Sequence, residues 1–201
     1  MIETDFTEKD ACYYDSLYAT GYHTHAYQPL YDTILDFLGR MDSPKVLEVA
    51  CGTGVLASQI ISRGIPHRGF DISSRAIDLC WQQSPDGEFW VGDAYDPASY
   101  RPRDYNLILA LEVFEHIDDL RAIRNFPDGA HVLFSVPNFL DPAHLRAYVD
   151  PQQDIVQRLA GLVSVGQVLP FRFNTPDNKT LTIFLAHGVV GCKAAYSPLA
   201  P

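Results

Sequence analysis

Three groups of residues in this 201-residue chain have the types and spacing to do chemistry. The first is Val46-Leu47-Glu48-Val49-Ala50-Cys51-Gly52-Thr53-Gly54, an apolar stretch that runs into a glycine turn. Lacking Cβ, Gly52 and Gly54 let a ligand lie against bare backbone, where a side chain is expected to collide with it. Glu48 places a carboxylate just before the turn, which suits an ammonium group and opposes a pyrophosphate. The second group closes the next two apolar stretches. Asp71, followed by Ile72, is placed to accept both hydroxyls of a ribose, and Gly92-Asp93-Ala94 is placed to hydrogen-bond an adenine edge. The third is Leu111-Glu112-Val113-Phe114-Glu115-His116-Ile117. His116 titrates in the range of a general base, or it caps and packs a following helix. Glu112 and Glu115 orient an acceptor or the histidine, or form a solvated helix start.

The glycine turn alone leaves two nucleotide readings open. Gly52-Thr53-Gly54-Val55-Leu56-Ala57 with Asp71 downstream also fits the dinucleotide fingerprint of NAD enzymes. Glu48 and the segment Glu112 to His116 have no role in that reading.

The elements that must position these groups alternate. Pro29 to Leu38 reads as an amphipathic helix with Gly39 as its stop. Val46–Ala50, Arg68–Ile72, Glu88–Val91, Asn106–Leu111 and His131–Val136 read as strands, the fourth continuous enough for the middle of a parallel sheet. Helices are expected over Val55–Ser62, from the N-cap Ser73 to about Gln83, and over Ile117–Phe126. Asp141–Tyr148 and Asp154–Leu162 also look helical. Phe171-Arg172-Phe173 and Leu181–Val190 flank the turn signal Thr175-Pro176-Asp177-Asn178 and read as a closing hairpin. The pattern is an α/β fold with a doubly wound, Rossmann-like sheet in a single domain.

These residues resemble class I S-adenosylmethionine-dependent methyltransferases. Glu48 to Gly54 resembles the glycine-rich motif of that superfamily, Asp71 its ribose-binding acid and Asp93 its adenine-binding acid. Glu112 to Ile117 is similar to the E-V-L-E-H segment of small-molecule members, and Ser135-Val136-Pro137-Asn138 to their fifth-strand ending. The likeness spans Lys45 to Asn138, and Ala50 departs from it, standing where the family usually has glycine. It implies seven strands in the order 3-2-1-4-5-7-6, with strand seven antiparallel. It also implies S-adenosylmethionine as cofactor, S-adenosylhomocysteine as product, and methyl transfer to an oxygen or nitrogen of a small-molecule acceptor. Glu48, Ala50, Gly52, Gly54, Asp71, Ile72, Asp93, Ala94 and Leu111 are the cofactor-binding residues it implies. His116 and Glu112 are the catalytic ones, Leu111-Glu112 ending the strand where a methyl donor presents its sulfonium. Glu112, Glu115 and His116, with His144 as a fourth ligand, also resemble the Glu-x-x-Glu-His metal segment of ubiquinone-biosynthesis and small-RNA 2′-O-methyltransferases. That leaves metal-assisted transfer to a catechol-like or ribose hydroxyl open. A cofactor-binding module without transferase activity is the reading from a different class.

Residues 1–40 are expected to form an aromatic-rich helical lid and residues 41–201 the cofactor-binding domain. Tyr14, Tyr18 and Tyr22 lie at helical spacing and either face a sulfonium or pack over the sheet edge. His23 and His25 read as loop residues. Arg121, Arg124 and Arg146 pair with an acidic acceptor or remain helix-surface charges. With 15 Lys+Arg against 25 Asp+Glu the formal net charge is -10, which argues against non-specific nucleic-acid binding. The start Met1-Ile2-Glu3-Thr4-Asp5 lacks the basic and apolar stretches of a secretory signal, and no apolar run suits a membrane helix. The scattered cysteines Cys12, Cys51, Cys80 and Cys192 read as free thiols, so a cytoplasmic location is expected. A homodimer is left open.

Overall fold

The computed structural model describes residues 1–21, 27–174 and 179–191. Tyr22, His23, His25, Cys192 and the turn Thr175 to Asn178 lie outside them. The elements in chain order are β1 (Ile2–Glu3), α1 (Ala11–Ala19), α2 (Gln28–Arg40), β2 (Val46–Val49) and α3 (Val55–Ile61). There follow β3 (His67–Asp71), α4 (Ser74–Gln83), β4 (Glu88–Val91), β5 (Leu107–Leu111) and α5 (Asp119–Ile123). The chain continues through β6 (His131–Pro137), β7 (Arg146–Ala147), β8 (Val163–Asn174) and β9 (Thr180–Val190). The large sheet has seven strands in the order β4-β3-β2-β5-β6-β9-β8. With β2, β3, β4, β5, β6, β8 and β9 counted as one to seven, this is the expected order. The antiparallel strand is also the expected one, because β9 runs against both β6 and β8.

Chain contacts divide the molecule into two compact units, Lys9–Leu109 and Met1–Glu8 with Ala110–Pro201. In the first, all four residues of β2 are buried, as a strand between parallel neighbours requires. α2 covers its core with Leu30, Tyr31, Ile34, Leu35 and Leu38, a stripe at helical spacing. Pro29 sits in its first turn, and the helix runs past Gly39 to Arg40, so Gly39 is not its stop. α4 starts where the sequence indicates: the Ser73 hydroxyl accepts from the Ala76 N–H at 3.0 Å. β3 ends at Asp71, one residue earlier than expected, leaving Ile72 outside the strand. Cys12, Cys51 and Cys80 are free thiols.

In the second unit, two helix expectations fail. Asp141–Tyr148 is not helical; its end forms β7, which pairs antiparallel with β1 through Ile2↔Ala147 and Glu3↔Arg146. The backbone donors there bond to distant partners, Leu145 N–H to Glu115 O at 2.7 Å and Tyr148 N–H to Pro137 O at 2.8 Å. Tertiary pairing thus overrides local helix signals. Asp154–Leu162 is replaced by a seven-residue π-helical segment, Pro151–Gln157, capped by Asp150, followed by turns. Asp154 turns back to accept from the Val149 and Asp150 N–H groups, at 2.7 and 2.9 Å. β8 is also longer than Phe171–Phe173, starting at Val163 with a register shift between Val165 and Gln167.

Candidate functional site

In the unit Lys9–Leu109, the ends of three parallel strands carry the expected binding residues. β2 runs into the turn at Ala50, which has φ +53, a left-handed conformation that a β-carbon resists. A glycine would take this conformation without strain. Gly52 and Gly54 follow with φ +55 and +78, and Gly54 caps α3. A β-carbon on Gly54 would lie 2.9 Å from Cys80 Sγ and 3.2 Å from Cys80 Cα. Packing against α4 therefore requires glycine at position 54 on its own account. At Gly52 the nearest atom to such a carbon is the Tyr18 hydroxyl, at 3.3 Å.

Asp71 stands at the end of β3, 3% exposed. Each of its oxygens accepts one backbone N–H, Oδ2 from Gly52 and Oδ1 from Ser73, both at 2.9 Å. Each oxygen keeps a second acceptor position. Burial raises its pKa from the ordinary 3.8 to about 6, against the lowering effect of the Ser73 and Gly52 N–H groups. Beside it, Ile72 is exposed. β4 ends level with β3, Asp71 pairing with Val91, and the Gly92 N–H bonds to Asp71 O at 2.9 Å. Asp93 follows, exposed, its carboxylate accepting the Tyr95 N–H at 2.8 Å; Ala94 is half-buried. Glu48 is buried, and its Oε2 pairs with His67 Nε2 at 2.8 Å. The sequence reading missed His67. Its only signal was its place at the head of the strand beside β2.

In the second unit, β5 ends at Leu111 and Glu112 takes φ +52. Ser135 of β6 holds Glu112 twice. Its hydroxyl accepts the Glu112 N–H at 2.9 Å and donates to Oε1 at 2.7 Å. Burial lifts the Glu112 carboxyl to about 7, with the Ser135 hydrogen bond opposing. The loop that follows is clamped from the 143–146 segment. Arg146, buried, donates to Phe114 O and, at 2.6 Å, to Ile117 O. It is thus neither an acceptor contact nor a surface charge but an anchor of the loop. His116 Nδ1 lies 3.0 Å from Ala143 O, and His144 Nδ1 lies 3.0 Å from Phe139 O. A ring nitrogen facing a carbonyl must donate, so each Nε2 carries the lone pair. His116, half-buried, is lowered to about 4, first by burial, and His144 is lowered for the same first cause.

Glu115 is fully buried and neither carboxylate oxygen accepts a hydrogen bond; His116 Nε2 stands 3.6 Å from Oε1. Burial pushes its pKa well above the ordinary range, and Glu112 pushes it further. Glu115, His116 and His144 offer ligand atoms all within 4.8 Å of one another. Among the described residues these three come together; Glu112 is not in the group.

The chain belongs to a methyltransferase domain family, whose model matches residues 22–165. It is 26% identical over 134 residues to the ubiquinone biosynthesis O-methyltransferase of Thiobacillus denitrificans, covering 62% of this chain and 58% of that one. The match thus spans less than two thirds of that relative's length. A SAM-dependent methyltransferase from Anabaena variabilis has the same fold with a TM-score of 0.71 at 11% identity, over 93% of this chain and 98% of its own. The N-methyltransferase NodS of Bradyrhizobium japonicum, solved in complex with S-adenosyl-L-homocysteine, gives a TM-score of 0.64 at 15% identity, over 81% and 86%. No helix among the described residues is long and apolar enough to cross a membrane.

Proposed function

We propose that this chain is an S-adenosylmethionine-dependent methyltransferase acting on an oxygen or nitrogen of a small-molecule acceptor. The observation that carries the reading is Asp71, buried at a strand end with each oxygen aligned by one backbone N–H and free to accept a second donor. Two acceptor positions held side by side suit the vicinal hydroxyls of a ribose. Ala50, Gly52 and Gly54 supply bare or nearly bare backbone, Ile72 apolar surface, and Asp93 with Ala94 the edge contacts for a base. Glu48 gives the negative charge for an amino-acid ammonium, with His67 orienting its carboxylate. Bound there, the cofactor supplies an already activated methyl group. The chain's residues then need to align an acceptor, exclude water and take a proton where the acceptor carries one. Leu111 and Glu112 are assigned to the methyl end, His116 to the proton, and Glu112 to orienting the acceptor. The 1–40 segment is assigned the part of a lid, and the reaction is placed in the cytoplasm.

The test is calorimetry with S-adenosylmethionine, S-adenosylhomocysteine and NAD in parallel. Micromolar binding of the first two and none of NAD is expected; binding of NAD alone would overturn the reading. Cofactor binding without turnover across an acceptor screen would favour the module without activity.

A second reading rests on Glu115. A fully buried carboxylate that accepts no hydrogen bond, with a ligand nitrogen from each of two imidazoles within 4.8 Å, fits a divalent cation. Each imidazole is oriented by a carbonyl on its other nitrogen, the usual outer partner of a metal ligand. Glu115, His116 and His144 would hold the ion, which supplies Lewis-acid activation of an acceptor hydroxyl. Full activity after exhaustive chelation would remove this reading and leave the first intact.

A further inference from the structure

Two thiols meet at the glycine turn. Cys51 belongs to the turn and Cys80 to α4, and their sulfurs lie 3.8 Å apart. Both are buried, in an apolar cluster with Ala57, Ile77 and Phe89. Each sits where a glycine keeps room for it. A β-carbon on Gly54 would run into Cys80 Sγ, and one on Gly69 would lie 3.0 Å from Cys51 Cβ and 3.1 Å from its Sγ. The pair is also tied to the turn's backbone. Cys80 Sγ donates to Gly52 O at 3.2 Å, and the Cys51 N–H bonds to Phe70 O at 3.0 Å. Gly52 is thus held on its carbonyl by Cys80 and on its N–H by Asp71. With the Cys80 proton on Gly52 O, Cys51 is the donor between the two sulfurs. That bond, and then burial, raise the Cys51 thiol well above its ordinary range.

Oxidation of the pair would remove both hydrogen bonds at once. A disulfide has no S–H, so Gly52 O loses the donor that Cys80 supplies. The sulfurs must also close from 3.8 Å to covalent contact. Cys80 is fixed in a helix and packed against Gly54. Cys51 stands between two residues with positive φ, Ala50 and Gly52. The turn is therefore the side that moves, and Gly52 moves with it, away from its place on Asp71.

We propose that Cys51 and Cys80 are a modification site for peroxides, where a reversible disulfide pulls the glycine turn out of its cofactor-binding shape. This rests on the reading of the turn as an S-adenosylmethionine site. The Cys51 sulfur attacks a peroxide oxygen, the O–O bond breaks, and a sulfenic acid forms as water leaves. The Cys80 sulfur then attacks Cys51 Sγ; the S–S bond forms, the S–O bond breaks, and a second water carries off the Cys80 proton. The two thiols lose two electrons, and one hydrogen peroxide is reduced to two waters. Cys51 reacts first because it is 7% exposed and Cys80 not at all. Held protonated in the closed turn, it reacts slowly, since the thiolate is the nucleophile. Disulfide and cofactor favour different turn shapes, so each weakens the other by the same factor.

The experiment treats the full chain with hydrogen peroxide, removes the excess and maps disulfides in tryptic peptides. Affinity for S-adenosylhomocysteine is read by calorimetry before oxidation, after it, and after dithiothreitol. A Cys51–Cys80 link is expected, with affinity lower by about tenfold, a usual size for coupling between two sites, and full recovery on reduction. In a dithiothreitol redox titration, saturating ligand should favour the reduced pair by that same factor. Cys80→Ser keeps a hydroxyl donor for Gly52 O but cannot form the link, so peroxide should leave its affinity unchanged. Cys80→Ala should be equally insensitive to peroxide. No link under peroxide that fully oxidises the exposed Cys12 would overturn the site. A link that leaves affinity unchanged would overturn its hold on the turn, as would a peroxide effect that persists in Cys80→Ser. A reduced chain that binds no S-adenosylhomocysteine would overturn the cofactor reading and the control built on it, while the peptide map still decides whether the thiols join.

Discussion

Two buried acids, Asp71 in one compact unit and Glu115 in the other, are held in opposite ways. In Lys9–Leu109, Asp71 takes one backbone N–H on each oxygen and Glu48 is paired with His67. In the unit containing Ala110 onward, Glu115 is at least as buried, yet its oxygens accept nothing; Arg146 Nη1 donates to the Phe114 and Ile117 carbonyls instead. A buried carboxylate without donors costs several kcal/mol unless it is protonated or meets a cation. The first unit is therefore organised in advance around its acid, and the second keeps an acid whose cost some other interaction must offset.

The largest expected effect breaks the organised side. Asp71→Ala removes two acceptor positions for the ligand and frees the Gly52 and Ser73 N–H groups. Affinity for S-adenosylhomocysteine should fall about a hundredfold, two hydrogen bonds to a charged group, as read by calorimetry. Near-normal affinity would refute the ribose role. Substitution at Glu115 should act with the opposite sign. Glu115→Leu replaces an unsatisfied buried acid with an apolar side chain of similar size, and should raise stability by about 1–3 kcal/mol in denaturant titration. It should also cancel any stabilisation of wild type by manganese or zinc. A loss of stability would mean that Glu115 is satisfied in the folded chain and that the contrast between the units is false.

A pH titration separates the two acids further. The Asp71 carboxyl is raised from 3.8 to about 6 because burial outweighs its N–H donors. The folded chain then holds a proton that the unfolded chain has released. Stability from this group accordingly falls as pH climbs from about 4 to 6. Ligand binding runs the other way, since a ribose needs the ionised acceptor. Affinity for S-adenosylhomocysteine should drop by up to tenfold per unit as pH falls below 6. Asp71→Asn should bind weakly without that slope; a wild-type curve equally flat would detach Asp71 from the ligand.

The same contrast governs what could be read from the sequence. The strands, the glycine turn, the Ser73 cap and Asp71 were legible because each depends on local chemistry: an apolar run, a residue without Cβ, a hydroxyl at a helix start; the strand order came only with the family resemblance. What escaped depends on distant partners. Asp141–Tyr148 has a helix-like start, but its amides bond to Glu115 and Pro137, which no window of neighbouring residues reveals. Arg146 looked like a surface charge because its carbonyl partners lie about 30 residues away in the chain. His67 was invisible as the partner of Glu48 until strand register set it opposite Val46, two positions from Glu48 on the same face. Gly54 was legible as obligatory, but its packing against Cys80 was not, since Cys80 lies on another helix.

The smallest effect probes strain on the organised side. Ala50 holds φ +53, which costs an alanine roughly 1 kcal/mol relative to glycine, part of it offset because glycine loses more freedom on folding. Ala50→Gly should therefore stabilise the chain by no more than about 1 kcal/mol, read as a higher denaturant midpoint at unchanged slope. Since the Gly52 N–H is already fixed on Asp71, relief of strain two residues before it should leave affinity for S-adenosylhomocysteine within about twofold of wild type. A larger affinity gain would mean that the turn is not fully arranged before binding and that ligand energy is spent forcing Ala50 into place.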